Sequence, residues 1–178
     1  MRRFAVVGVW VVALASVAAW GQEKGHPSGI LGKKLCVADI ANSSTKPVFT
    51  DELKEKTVGE LQKLKVNAEN SYSATMLGDH LDMSGRNLKV MERAHCDYML
   101  LGEVALGKWS NRRDAKEGEA KPAPEQVIWD YALFKKGSQK AIVEGTVVAA
   151  EGKPLTESFV AAASEVAGKV ADPVLKKK

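Results

Sequence analysis

The chain has 178 residues, 45% of them hydrophobic and 27% charged, with 26 Lys and Arg against 22 Asp and Glu and a formal charge of +4. That length supports one domain with a full hydrophobic core rather than two comfortable ones. So small a positive excess excludes the extended basic footprint of a nucleic-acid binder.

The first segment carries an address. Arg2 and Arg3 precede an apolar run from Phe4 to Ala19, too short to span a bilayer comfortably, and Ser16, Ala18, Ala19 and Gly21 supply the small side chains of a cleavage site. Residues 1–21 therefore read as an export signal cleaved near residues 18–21, which places the mature chain, starting near Gln22, in the periplasm or outside the cell. The other reading is an uncleaved anchor with Trp20 at the membrane interface. Loss of Arg2 and Arg3 lowers the formal charge from +4 to +2. Cys36 follows Gly32-Lys33-Lys34-Leu35, which is no lipoprotein lead-in, and no CxxC motif is present. An exported chain with two cysteines, Cys36 and Cys96, invites a disulfide.

Residues 22–33, broken by Gly25, Pro27, Gly29 and Gly32, read as a flexible lead-in that also holds His26. A single domain is expected over 34–172. Lys34 to Ile40 predicts a buried strand that ends at Asp39, Asn42 and two serines. Thr50 or Asp51 caps a helix through about Leu64, with Leu53, Thr57, Val58, Leu61 and Leu64 on one face. Val66 to Glu69 is a weak short strand, and a polar loop from Asn70 leads to a second helix that begins at Ser84 or Gly85, runs to about Ala94 and packs Leu88, Val90 and Met91 inward. Asp97 to Leu106 is the clearest strand, and Gly102 within it marks a bulge or a close backbone approach. Trp109 to Gln126, with Pro122 and Pro124, is an exposed charged connection. Val127 to Lys135 and Ala141 to Ala149 form an antiparallel hairpin, with Trp129 and Tyr131 on one face as core beneath the last helix. That helix starts near Pro154, buries Leu155, Phe159, Val160, Ala163, Val166, Ala167 and Val170, and stops before Pro173. Residues 173–178 are a basic tail whose Lys176, Lys177 and Lys178 either touch an anionic surface or remain solvated. The expected fold is α/β, in two or three layers, with a mixed sheet of about five strands in the order β-α-β-α-β-β-β-α and an amphipathic C-terminal helix.

Asp39, Asn42 and Ser43 at the end of the first strand, and Ala94 followed by Asp97-Tyr98-Met99-Leu100-Leu101-Gly102-Glu103-Val104, resemble the small periplasmic α/β domain shared by the TolB N-terminal domain, the curli secretion protein CsgG and the penicillin-binding-protein activator LpoB. Trp129-Asp130-Tyr131 and the last helix also match, so the resemblance covers roughly Lys34 to Val170. It implies a scaffold and no catalytic role. The chain departs from the family where the secretion channel has a lipid-anchoring cysteine and a membrane hairpin, and where TolB continues into a propeller. The implied 2-1-3 order of neighbouring strands would bring Cys36 and Cys96 within disulfide reach; two buried free thiols are the alternative.

No G-x-S-x-G stretch or phosphate loop is present, so neither nucleophilic acyl transfer nor nucleotide binding is expected, nor any cofactor. His80 with Asp82 and His95 with Asp97 form two His-x-Asp pairs, weak metal candidates at an undiagnostic spacing. Tyr72 and Trp109 are aromatic residues in polar loops, suited to partner contact or to edge packing. The expected function is non-catalytic: an exported binding or accessory module that contacts another envelope protein through Asp39, Asn42, Ser43, Tyr72 and Trp109, with no nucleic acid and no membrane span after cleavage. The alternative is a small-ligand or metal-binding periplasmic domain that uses the Asp39 to Ser44 turn and the His80 to Asp82 loop.

Overall fold

The computed structural model describes residues 32–73, 81–106 and 126–176. The segment read as an export signal, His26, most of the expected lead-in, His80, Trp109 and nearly all of the charged connection lie outside them. Strand β1 (Lys34–Asn42), helix α1 (Thr50–Lys63), β2 (Asn67–Asn70), α2 (Gly85–Arg93), β3 (Tyr98–Leu106), β4 (Val127–Lys135), β5 (Ala141–Val148) and α3 (Leu155–Leu175) follow the expected order. One sheet results, ordered β2-β1-β3-β4-β5. Strand β1 is parallel to both β2 and β3, and β3, β4 and β5 are antiparallel in turn. The arrangement has three layers. Helices α1 and α3 cover one face through Leu53, Leu61, Phe159 and Val166, and α2 covers part of the other with Val90 and Met91 against Met99, Leu101 and Phe134.

Cys36 and Cys96 are joined, with α-carbons 5.8 Å apart at a sequence separation of 60. The register explains how. Cys36 pairs with Met99 across β1 and β3, and the chain reaches β3 through Cys96, whose N–H donates to the Met91 carbonyl at the end of α2.

Local corrections have physical causes. Strand β1 runs on to Asn42 because a bulge between Val37 and Ile40 restores its pairing with Gly102, Glu103 and Val104. Helix α1 is entered through Phe49, whose side chain makes no cap bond; Val48 before it and Leu53 inside are both buried in one cluster, and this apolar clasp sets the entry. Leu64 lies past the end of α1 and is 42% exposed. Helix α2 begins at Gly85, within the expected bounds, and Ser84 caps it by accepting from the Asn87 N–H. Helix α3 continues through Pro173 to Leu175. The proline forfeits one hydrogen bond near the helix end, while buried Ala171 and Val174 extend the apolar stripe on either side of it. Between α1 and α3, Glu60 accepts from Lys63 and Lys56, which hold its carboxyl down at about 2.

Trp129 is the largest fully buried side chain, set edge-on to Phe159 with ring centroids 6.4 Å apart and 6.0 Å from Tyr131. Its indole N–H has no hydrogen-bond partner among the described residues. Gly102 makes room for it: a β-carbon there would lie 3.0 Å from Nε1 and 3.3 Å from Ile40. Gly145, opposite Tyr131 in the hairpin, leaves space for the phenol in the same way, since a β-carbon there would lie 2.6 Å from the hydroxyl. Burial pushes the Tyr131 phenol above its ordinary value.

Two outcomes follow for stability. Replacing Cys36 and Cys96 together with Ala removes a closed loop worth about 4 kcal/mol in the chain-entropy description. It should lower the melting temperature by about 10 °C for a domain of this size, read by calorimetry of oxidised protein and variant. Gly102→Ala presses a methyl against the indole and Ile40 and should cost about 2 kcal/mol in denaturant unfolding, with a change in Trp fluorescence; unaltered unfolding would remove the close-approach account.

Candidate functional site

The carboxyl ends of β1 and β3 meet the amino-terminal ends of all three helices at one pole of the sheet. In parallel α/β architectures this is the end at which loops present function. Three of the expected contact residues, Asp39, Asn42 and Ser43, come together here.

Their hydrogen bonds are directed largely inward. The Asn42 amide nitrogen donates to the Lys46 carbonyl at 2.8 Å, and its oxygen accepts from the Ser44 N–H at 3.0 Å and the Ser44 hydroxyl at 2.6 Å. This side-chain turn lets Thr45 adopt a φ of 61°. The Ser43 N–H donates to the Val104 carbonyl at 2.7 Å, and its hydroxyl to Glu103 at 2.5 Å. Glu103 is buried on β3, so Ser43 gives a sequestered carboxyl group its partner. At the bulge, Asp39 receives the Lys54 ammonium from α1 at 2.6 Å and the Ser73 N–H at 3.3 Å. The acid thus ties β1, α1 and the segment after β2 into one unit.

Two aromatic side chains stand out from that unit. Tyr72 is 51% exposed, and its neighbours are both pinned, Ser71 donating its N–H to the Val37 carbonyl and Ser73 donating to Asp39. Phe49 is 68% exposed; its N–H donates to the Thr156 hydroxyl at the start of α3, and its carbonyl accepts from Leu53. Sequence reasoning passed over Phe49, Lys54 and the role of Glu103. Phe49 had a signal, an aromatic residue at the entry to a helix whose own apolar face is already complete without it. Lys54 and Glu103 had none, because their partners are 15 and 60 residues away.

The metal candidates are dispersed. Asp82 lies just before α2, whereas His95 and Asp97 lie beyond its end, about 13 Å of helix away. Asp97 accepts the Lys34 N–H at 2.9 Å, a strand-entry role, and exposed His95 adopts a φ of 53°. No three His, Cys, Asp or Glu side chains are grouped to hold a metal ion among the described residues.

No family model and no curated protein sequence matches the chain. Among solved structures it is similar to the PelC dodecamer from Paraburkholderia phytofirmans, at 14% identity and a TM-score of 0.51 over 82% of this chain and 90% of that one. Lipoprotein GNA1162 from Neisseria meningitidis matches at 14% identity and a TM-score of 0.47 over 79% of this chain and 99% of that one. The LpoB C-terminal domain from Salmonella enterica matches at 10% identity and 0.36 over 68% and 85%. The likeness to PelC establishes a shared fold.

Ser43→Ala strips buried Glu103 of its hydroxyl donor and should cost about 2 kcal/mol. Ser43→Thr, which keeps the hydroxyl, should recover most of it. Chemical denaturation of the three proteins measures both, and equal stability of all three would show that the Ser43 to Glu103 bond holds nothing in place.

Proposed function

We propose that this chain is a non-catalytic module of the bacterial cell envelope, exported by residues 1–21, which works by contacting another protein through the pole that carries Asp39, Asn42, Ser43, Phe49 and Tyr72. The observation that carries the reading is the pairing of exposure with fixed backbone at the two aromatic residues. Phe49 and Tyr72 present large apolar surface to solvent while hydrogen bonds hold the main chain at or beside each of them. Aromatic anchors held in place before binding lose little conformational freedom on association, which is how contact residues gain affinity. The polar groups between them spend their hydrogen bonds on one another and lock the platform.

Assignment to the TolB, CsgG and LpoB class belongs to the same proposal, supported by the strand and helix order and by the Ala94 to Val104 pattern. Trp109 joins the contact set on sequence grounds alone. PelC was solved as a dodecamer, so a second copy of this chain is the first partner to test.

Crosslinking of the full chain in its native envelope, followed by mass spectrometry, should yield a partner adduct or a ladder of self-adducts. Phe49→Ala with Tyr72→Ala should reduce that yield at least tenfold with the melting temperature unchanged. A full yield from the double variant would overturn the assignment of this pole, and a bound small molecule lost on Asp39→Ala would replace a protein partner with a ligand.

A further inference from the structure

The opposite pole has a different chemistry. There the amino ends of β1, β2 and β3 meet the carboxyl ends of all three helices and the β4–β5 turn. Exposed Lys33, Lys65, Lys135, Lys136, Lys140 and Lys176 collect at this end. Of the acids at this end, Glu69 is paired with the Lys34 ammonium at 2.7 Å, which leaves Asp97, held by the Lys34 N–H, with Glu92 and Asp172, and Arg93 adjoins Glu92. The aromatic pole instead carries Asp51, Glu52, Asp82, Glu151 and Glu157 against exposed Lys46, Arg86 and Lys153. Among the described residues, charge is therefore divided along the axis of the sheet, with the basic excess at this pole. Favourable interaction with helix dipoles accounts for lysines just past α1 and α3 but not for Lys135, Lys136 and Lys140, which lie on a strand end and a turn.

Apolar surface accompanies the charge. A cavity of about 240 Å³ opens at this pole, lined by Lys33, Lys65 and Lys176 with Val66, Val174 and Leu175, and no acidic side chain lines it. Leu64 and Leu175 beside it are 42% and 49% exposed. The first and last described residues, Gly32 and Lys176, also lie at this pole.

We propose that this pole docks on an anionic phospholipid surface, with Lys33, Lys65 and Lys176 on headgroup phosphates and Leu64 and Leu175 at the level of the headgroups. Basic side chains paired with exposed leucines suit a charged interface rather than a soluble anion. Docking this way turns Phe49 and Tyr72 away from the membrane, toward a partner. The proposal rests on the exported reading only for bringing the chain to a membrane.

Co-sedimentation tests it, with the full chain and vesicles of pure phosphatidylcholine or of equal parts phosphatidylcholine and phosphatidylglycerol. The apolar N-terminal run contributes to both vesicle types, so the ratio of the two affinities isolates the electrostatic contribution. Lys33→Gln, Lys65→Gln and Lys176→Gln combined should lower that ratio by roughly a hundredfold, at about fivefold per lysine, with an unchanged thermal melt. Lys153→Gln, at the aromatic pole, should leave it as it is. A triple variant that keeps the wild-type ratio, or a fall of about fivefold with Lys153→Gln, would overturn the proposal, the latter by showing that net charge alone decides. Neither result touches crosslinking through Phe49 and Tyr72, so the two readings fail separately.

Discussion

The parallel pairing of β1 with both β2 and β3 is the constraint on which the rest of this structure depends. Parallel neighbours cannot be joined by a tight turn; the chain must cross back over the sheet, and it does so through α1 and then toward β3 through α2. Each crossover carries a helix from the carboxyl end of the strands to their amino end. Helix α3 runs the same way after the hairpin returns the chain to the carboxyl end of β5. Every helix therefore points its amino terminus at one pole and its carboxyl terminus at the other. The acids at α1 and α3 starts and the lysines beyond their ends each lie where the helix field favours them, and the charge division between the two poles follows from topology as much as from composition.

The same pairing gives the disulfide its place and the aromatic core its shape. With β1 and β3 adjacent and in register, the half-cystines fall side by side, and the bulge before Ile40 brings that side chain against Gly102. Trp129 fills the space that remains. A glycine in the most completely buried of the described strands looks like a weakness on propensity alone; it is the vacancy that the largest side chain requires.

What could be read from the sequence divides along the range of the interaction involved. The apolar run of β3, the hairpin around Gly137, the start of α2 and the inward faces of α1 and α3 are local patterns, and the structure keeps them. Gly102 was legible as a close approach, though not the identity of what approached it. Two cysteines in a chain read as exported invited the pairing of Cys36 with Cys96, and the strand order implied by the family resemblance gave it a geometry. Features that depend on distant partners stayed hidden: the bulge that extends β1, the burial of Val174 that carries α3 past Pro173, and the Ser43 to Glu103 bond. Phe49 was missed for a different reason: the complete apolar face of α1 was the signal that left it without a core position, and that signal was not followed.

Within the covalent loop that closes at Cys36 and Cys96 lie α1, β2, α2 and the connection after Tyr72, while β4, β5 and α3 lie outside it. A protease that cuts inside the loop does not divide the molecule. The two pieces stay linked by sulfur, β1 remains seated between its neighbours, and whatever the amino-terminal sequence is attached to stays attached to the hairpin and α3. In a compartment where peptidases act and reductants are scarce, nicked copies would persist as whole ones and separate only on reduction.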